Sequence, residues 1–229
     1  MEQTEDFNVY MGTQIPLTDR GNCLDIAVFT SPFFAEVWKD PYKTGSNREE
    51  TDVTRYGINI ALNDVLGTSL SMSFKATIVD VDEDEIGRIY SNLRRDSHVY
   101  MMTGEHRFSP TSNLSTVPSL SLMRGDSECE SNSFYRYGMA LKCIYTNGDM
   151  TFMPMIRYAF TTYDKTHPIF DTTREDNHYL AVFIATYSDP FGFQDYFIRI
   201  IGGYGTTDST ITFCDGTGKF IGLTVGYSF

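Results

Sequence analysis

"GKFIGLTVGYSF", residues 218–229, closes the chain, and its reading decides the fold. Every second residue is large and apolar: Ile221, Leu223, Val225, Tyr227 and Phe229. Between them stand Gly222, Thr224, Gly226 and Ser228. A period of two marks a β-strand, whose successive side chains point to opposite faces. One face of this strand is greasy and the other is small and polar. Such a strand either half-buries itself in a soluble sheet or meets lipid on one side and water on the other.

The same alternation recurs from about residue 53 onward. Tyr56, Ile58, Ile60 and Leu62 oppose Arg55, Gly57, Asn59 and Ala61. Tyr135, Tyr137, Met139, Leu141 and Cys143 oppose Arg136, Gly138, Ala140 and Lys142. Tyr196, Ile198 and Ile200 oppose Asp195 and Arg199. No stretch of comparable length keeps a helical period, so the fold is all-β.

The connectors choose between the two kinds of sheet. Short ones at 63–67, 109–113, 146–149 and 188–192 alternate with long polar ones at 40–51, 80–95, 125–132, 164–177 and 206–218. Short turns at one end and long loops at the other are the habit of outer-membrane barrels. Asn147-Gly148 is the preferred pair for a type I′ hairpin turn. The aromatics fall into two sets at strand ends, where amphipathic rings favour the lipid–water boundary. The expected fold is therefore a transmembrane antiparallel up-and-down β-barrel. Residues 22–229 supply ten strands, with bulges at Ser31-Pro32, Pro118 and Pro154. Residues 1–21 form a tail or a lumen segment, or else two short extra strands that bring the total to twelve.

Composition narrows the functions. The 229 residues suffice for one large domain. No apolar run reaches the ~18 residues of a spanning helix, which leaves barrel strands of ~9–11 residues untouched. A net charge of −12 speaks against nucleic acid as a partner. The four cysteines, Cys23, Cys129, Cys143 and Cys214, show no metal-ligand spacing, and neither metal nor cofactor is expected. The start "MEQTEDF" has neither a basic nor an apolar leader region, so an exported chain would already have lost its leader.

The closing residues also resemble a known signal. A terminal Phe229, an aromatic Tyr227 two residues earlier and alternating apolar positions look like the carboxyl-terminal signature of bacterial outer-membrane barrels. The resemblance implies that the barrel-assembly machinery reads Tyr227 and Phe229. The signature's usual glycine would fall at Thr224, where this chain departs from it. The segments "HPIFDTTREDNHY", "SDPFGFQDYFIRIIGGYGTTDSTITFCD" and "VGYSF" are similar to an uncharacterised family of proteobacterial outer-membrane barrels. More loosely they resemble the barrel of the surface lipoprotein assembly modifiers. The likeness covers roughly the last third and brings no catalytic residues.

With the apolar face outward, the lumen should carry Arg55, Lys75, Arg107, Arg136, Lys142, Arg157 and Arg199, with Glu105 and Asp195 as the acids. Fixed cations in a narrow passage guide anions, and a guanidinium fork matches carboxylates and phosphates. The leading expectation is a non-enzymatic channel in the bacterial outer membrane for small anionic solutes. The alternative is a closed barrel in adhesion or surface assembly, with Arg107–Glu105 and Arg199–Asp195 ion pairs filling it. A lipid-modifying enzyme is third. Its one visible candidate, His98, faces lipid, and the adjacent Ser97 points the other way. Outer-membrane lipid and lipopolysaccharide are the expected surroundings. The acidic run "DVDEDE" (80–85) reads as a solvated loop, and Cys129 and Cys214 are a possible outer-loop disulfide.

Overall fold

The structure, a computed structural model, describes residues 2–6, 9–17, 22–38, 48–65, 68–81 and 94–227. They hold thirteen strand segments in one sheet and no α-helix. These are β1 (Glu2–Asp6), β2 (Val9–Pro16), β3 (Cys23–Trp38), β4 (Arg48–Asn63), β5 (Leu70–Val81), β6 (Ser97–His106) and β7 (Phe108–Thr111). They continue as β8 (Leu114–Ser127), β9 (Phe134–Asn147), β10 (Met150–His167), β11 (Thr172–Ser188), β12 (Tyr196–Ser209) and β13 (Gly216–Tyr227). From β3 onward each strand follows its predecessor in the sheet, with β7 continuing β6 and with β1 and β2 both paired to β3, so the expected all-β, antiparallel, up-and-down architecture holds. Segments β6 and β7 flank Arg107 and make one interrupted strand, which gives twelve.

Ten of the twelve lie from Cys23 onward, as expected, and β1 and β2 are the two short extra strands of the twelve-strand alternative. Residues before 22 are neither a loose tail nor a lumen segment where they are described. Strand β2 pairs with β3 from Val9↔Thr30 to Pro16↔Cys23, and β1 pairs farther along β3 from Asp6↔Phe33 to Glu2↔Glu36. The expected bulge at Ser31-Pro32 is absent from the β3–β4 register, which runs unbroken from Cys23↔Asn63 to Trp38↔Arg48. The irregularity sits in β1 instead, between Gln3 and Glu5. Two of the long connectors are also corrected. Strands β10 to β13 run into them, leaving only residues 168–171 and 210–215 between strands. At Asn147-Gly148 only Gly148 takes a positive φ, 57°, whereas a type I′ turn needs two such residues.

Exposure is inverted relative to a soluble sheet. Along β9 the exposed residues are Tyr135, Tyr137, Met139, Leu141 and Tyr145, while Arg136 and Lys142 are half-buried and Gly138 is buried. Strand β8 repeats this with Leu120 and Leu122 exposed, and β13 with Ile221 and Leu223 exposed to 85% and 69%. Soluble monomers rarely present contiguous apolar surface on this scale.

Two compact units divide the chain: 1–104, 121–136 and 161–175 form the first, and 105–120, 137–160 and 176–229 the second. Within each, the second face of the sheet is packed by phenylalanine rings lying over glycines. In the first unit Phe29 covers Gly57, its register partner, and Phe134 covers Gly125. Val53, Val79 and Val81 cluster there, with Val53 only 1% exposed. In the second unit Phe197 covers Gly226 and Phe220 covers Gly203, again as register partners, and Ile201 abuts Gly222. A ring beside a residue without Cβ buries apolar area on both strands and restores contact where glycine alone leaves a gap.

A Cβ at Gly226 or Gly203 would collide with the ring of Phe197 or Phe220, whereas one at Gly218 would meet nothing within 4 Å. Gly226→Ala and Gly203→Ala should each cost about 1–3 kcal/mol through overpacking. Gly218→Ala should be near neutral in the same denaturant titration of the detergent-folded protein.

Candidate functional site

Strand β11 reads Arg174-Glu175-Asp176-Asn177-His178-Tyr179, and alternation puts Arg174, Asp176 and His178 on the second face. The β11–β12 register sets Asp176 opposite Ser209 and His178 opposite Thr207. His178 Nδ1 lies 2.9 Å from Thr207 Oγ1, and its Nε2 lies 3.8 Å from Asp176 Oδ2. The Asp176 carboxylate is wholly buried, while the His178 side chain stays 28% exposed. When Nε2 carries the ring proton, Nδ1 accepts from the threonine hydroxyl, and at 3.8 Å the Asp176 carboxylate acts on the ring through its charge rather than through a hydrogen bond. On the other face, Tyr158 donates its hydroxyl hydrogen to Asn177 Oδ1 at 2.7 Å and packs against Tyr179 with ring centroids 5.2 Å apart. Those contacts hold β11 on either side of His178.

This carboxylate–imidazole–hydroxyl set was missed from sequence because 164–177 reads there as a long loop. Continued alternation through Arg174, Asp176, His178 and Leu180 is the signal that could have found it.

The expected lumen cations do not form an open row. Lys75 Nζ sits 4.2 Å from the centre of the Phe29 ring. Arg136 donates from Nε to Thr161 Oγ1 at 2.8 Å and stacks 5.3 Å from Phe134. Arg199 donates to Thr186 Oγ1 at 3.2 Å and lies 5.1 Å from the Phe197 ring. Each of these three cations therefore caps a ring that itself covers a glycine. Arg55 lines a pocket in the first unit, and Lys142 is half-buried on β9. Arg157 and Arg107 are exposed, the latter at the break between β6 and β7.

The expected ion pairs give way to other contacts. Asp195 belongs to the turn before β12, with φ 67° and its backbone N–H donating to Asp189 Oδ1 at 2.7 Å, while Arg199 turns to Thr186 and Phe197. Glu105 is exposed on β6, without the partner expected in Arg107. An unexpected cluster stands on the exposed face. Arg124 bridges Asp126 and Asp164, with Nη2 2.7 Å from Asp164 Oδ2, and lies 4.4 Å from the Tyr135 ring.

His98 is exposed on β6 and Ser97 is on the opposite parity, as expected. Tyr227 packs edge-on to Tyr196 at 5.0 Å, and Phe229 lies outside the described residues. Most of the acidic run at 80–85 lies outside them too. The possible Cys129–Cys214 disulfide is not formed in the structure, and Cys129 contacts Ser131 Oγ at 3.0 Å.

Residues 2–228 match the profile of a family described as "Protein of unknown function (DUF2860)". The chain belongs to that family. No curated protein matches the DUF2860 chain. Among solved structures it is similar to LpxR from Salmonella typhimurium, with a TM-score of 0.49 and 10% identity, covering 97% of this chain and 88% of that one.

Two expectations are overturned at this point. The reading as a porin-like, anion-selective transport channel does not stand. On the face that would line it, Lys75, Arg136 and Arg199 lie on the rings of Phe29, Phe134 and Phe197, and those rings cover glycines in each unit. The reading as a chain without enzymatic activity is set aside as well, because it did not include the Asp176–His178–Thr207 set.

Alkylation of the unfolded DUF2860 protein without reductant checks the thiols. Four adducts per chain are expected by mass spectrometry, and two would mean that a disulfide had formed.

Proposed function

We propose that this DUF2860 protein is an outer-membrane β-barrel that cleaves esters of membrane lipid, with His178 as general base and Thr207 as nucleophile. The carrying observation is the 2.9 Å contact of His178 Nδ1 with Thr207 Oγ1, backed by Asp176. A hydroxyl, an imidazole and a buried carboxylate in series are recognised by roles and geometry, whatever the fold.

Thr207 Oγ1 attacks the ester carbonyl carbon and its proton passes to His178 Nδ1. The carbon–oxygen bond to the leaving alcohol breaks, and that alcohol takes the proton from His178. Water then hydrolyses the acyl-threonine and releases the fatty acid. Asp176 stabilises the imidazolium while it holds the proton.

Lipid as substrate is supported by the exposed apolar face, which suits an acyl-chain environment and no aqueous one. Outer-membrane lipid, lipopolysaccharide included, supplies such esters. On this reading the barrel-assembly machinery recognises Tyr227 and Phe229.

Mixed micelles of phospholipid and lipopolysaccharide test the chemistry, with released fatty acid read by mass spectrometry. His178→Gln and Thr207→Val should each lower the rate by about 10²–10⁴ with folding unchanged. Release that ignores both substitutions, or no release from the native chain, would sink the enzyme. For the membrane assignment, Leu141→Arg should cost about 2–4 kcal/mol in bilayer folding, the penalty of a cation on a lipid face near midplane.

A further inference from the structure

The first unit holds a cavity of about 190 Å³ on the second face of its sheet. One wall is apolar, built from Val53, Val79, Val81 and the ring of Phe134. Arg55 and Arg95 line the same cavity. They arrive from different elements: Arg55 stands on β4 two residues from Val53, and Arg95 stands just before β6. Both also interact with other groups of the protein.

We propose that this cavity is a binding site for a small oxyanion carried on a short apolar arm, a phosphate monoester or carboxylate. Two arginines lining one cavity supply the chemistry that recognises such anions, through paired and charge-assisted hydrogen bonds. Against the valines and Phe134 a bare anion would leave apolar surface wet, whereas a short alkyl arm covers it. Size sets the limit. At about 30 Å³ per water the cavity holds roughly six waters' worth of ligand, and a drug-sized molecule needs ~300 Å³ or more. None of its residues belongs to the Asp176–His178–Thr207 set. The site thus goes beyond the hydrolase reading, and binding can fail or succeed independently of ester cleavage.

Isothermal titration of the full chain in detergent tests it, with butyl phosphate, inorganic phosphate and dihexanoyl phosphatidate as probes. Butyl phosphate should bind at least ten-fold more tightly than inorganic phosphate. Arg55→Gln and Arg95→Gln should each weaken it ten-fold or more, and His178→Gln should leave it unchanged. Should a glutamine variant misfold, Arg55→Lys keeps the charge, loses the fork and should still weaken binding. Tighter binding of the phosphatidate with the same arginine dependence would assign the oxyanion to a lipid headgroup, and weaker binding to a free molecule. Butyl phosphate no tighter than inorganic phosphate, or indifference to both arginines, would overturn the site.

Discussion

The second face of this sheet depends on one contact, a phenylalanine ring laid across a glycine on the neighbouring strand. Phe29 on Gly57, Phe134 on Gly125, Phe197 on Gly226 and Phe220 on Gly203 repeat it in both compact units. A sheet whose outer face is apolar must fill its other face with side chains or admit water. Glycine alone does neither, and its missing Cβ forfeits dispersion contact on that strand. The ring supplies that contact and removes apolar area of its own from water. It also presents a π-face on which Lys75, Arg136 and Arg199 settle. Packing and charge placement on this face are thus one device, in which backbone carries ring and ring carries cation.

That device explains why the same residues read so differently before and after folding. Alternation in "GKFIGLTVGYSF" correctly separates Ile221, Leu223 and Val225 from Gly222, Thr224 and Gly226. It says nothing about what covers the glycines, because Phe197 is brought to Gly226 by cross-strand register and not by local pattern. Ten strands were legible, since period two is a local property, but the parity of β3 was misread at Ser31-Pro32, where its register runs unbroken. The first two strands were not legible. Strand β2 is only eight residues long and exposed along its whole length, and β1 has five residues and an irregular register.

The candidate site was hidden for a related reason. Asp176 and His178 lie in a polar run that composition assigns to a loop, and polar residues on a strand look like loop residues until their partners are known. Thr207 is 29 positions beyond His178, and only the β11–β12 register makes the two neighbours. Among the lumen cations the sequence reading found the correct face for Lys75, Arg136 and Arg199 but mistook what they do there. A cation facing a supposed passage and a cation lying on a ring carry the same letter and the same parity.

Strands β10 and β11 have 18 and 17 residues, well beyond what a bilayer requires. At about 3.3 Å per residue and a tilt near 45°, such a strand climbs roughly 40 Å, against an apolar band about 25 Å tall. In the proposed membrane setting their far ends would stand some 15 Å clear of the hydrocarbon, close to two Debye lengths at physiological salt, about 8 Å each. Asp164, Lys165, Arg174 and Glu175 lie on that excess. Their charges are thereby carried on paired backbone at a set height, where the lipid headgroups' own field is already largely screened. What approaches the cell from outside would meet a stiff, charged ribbon before it meets the membrane.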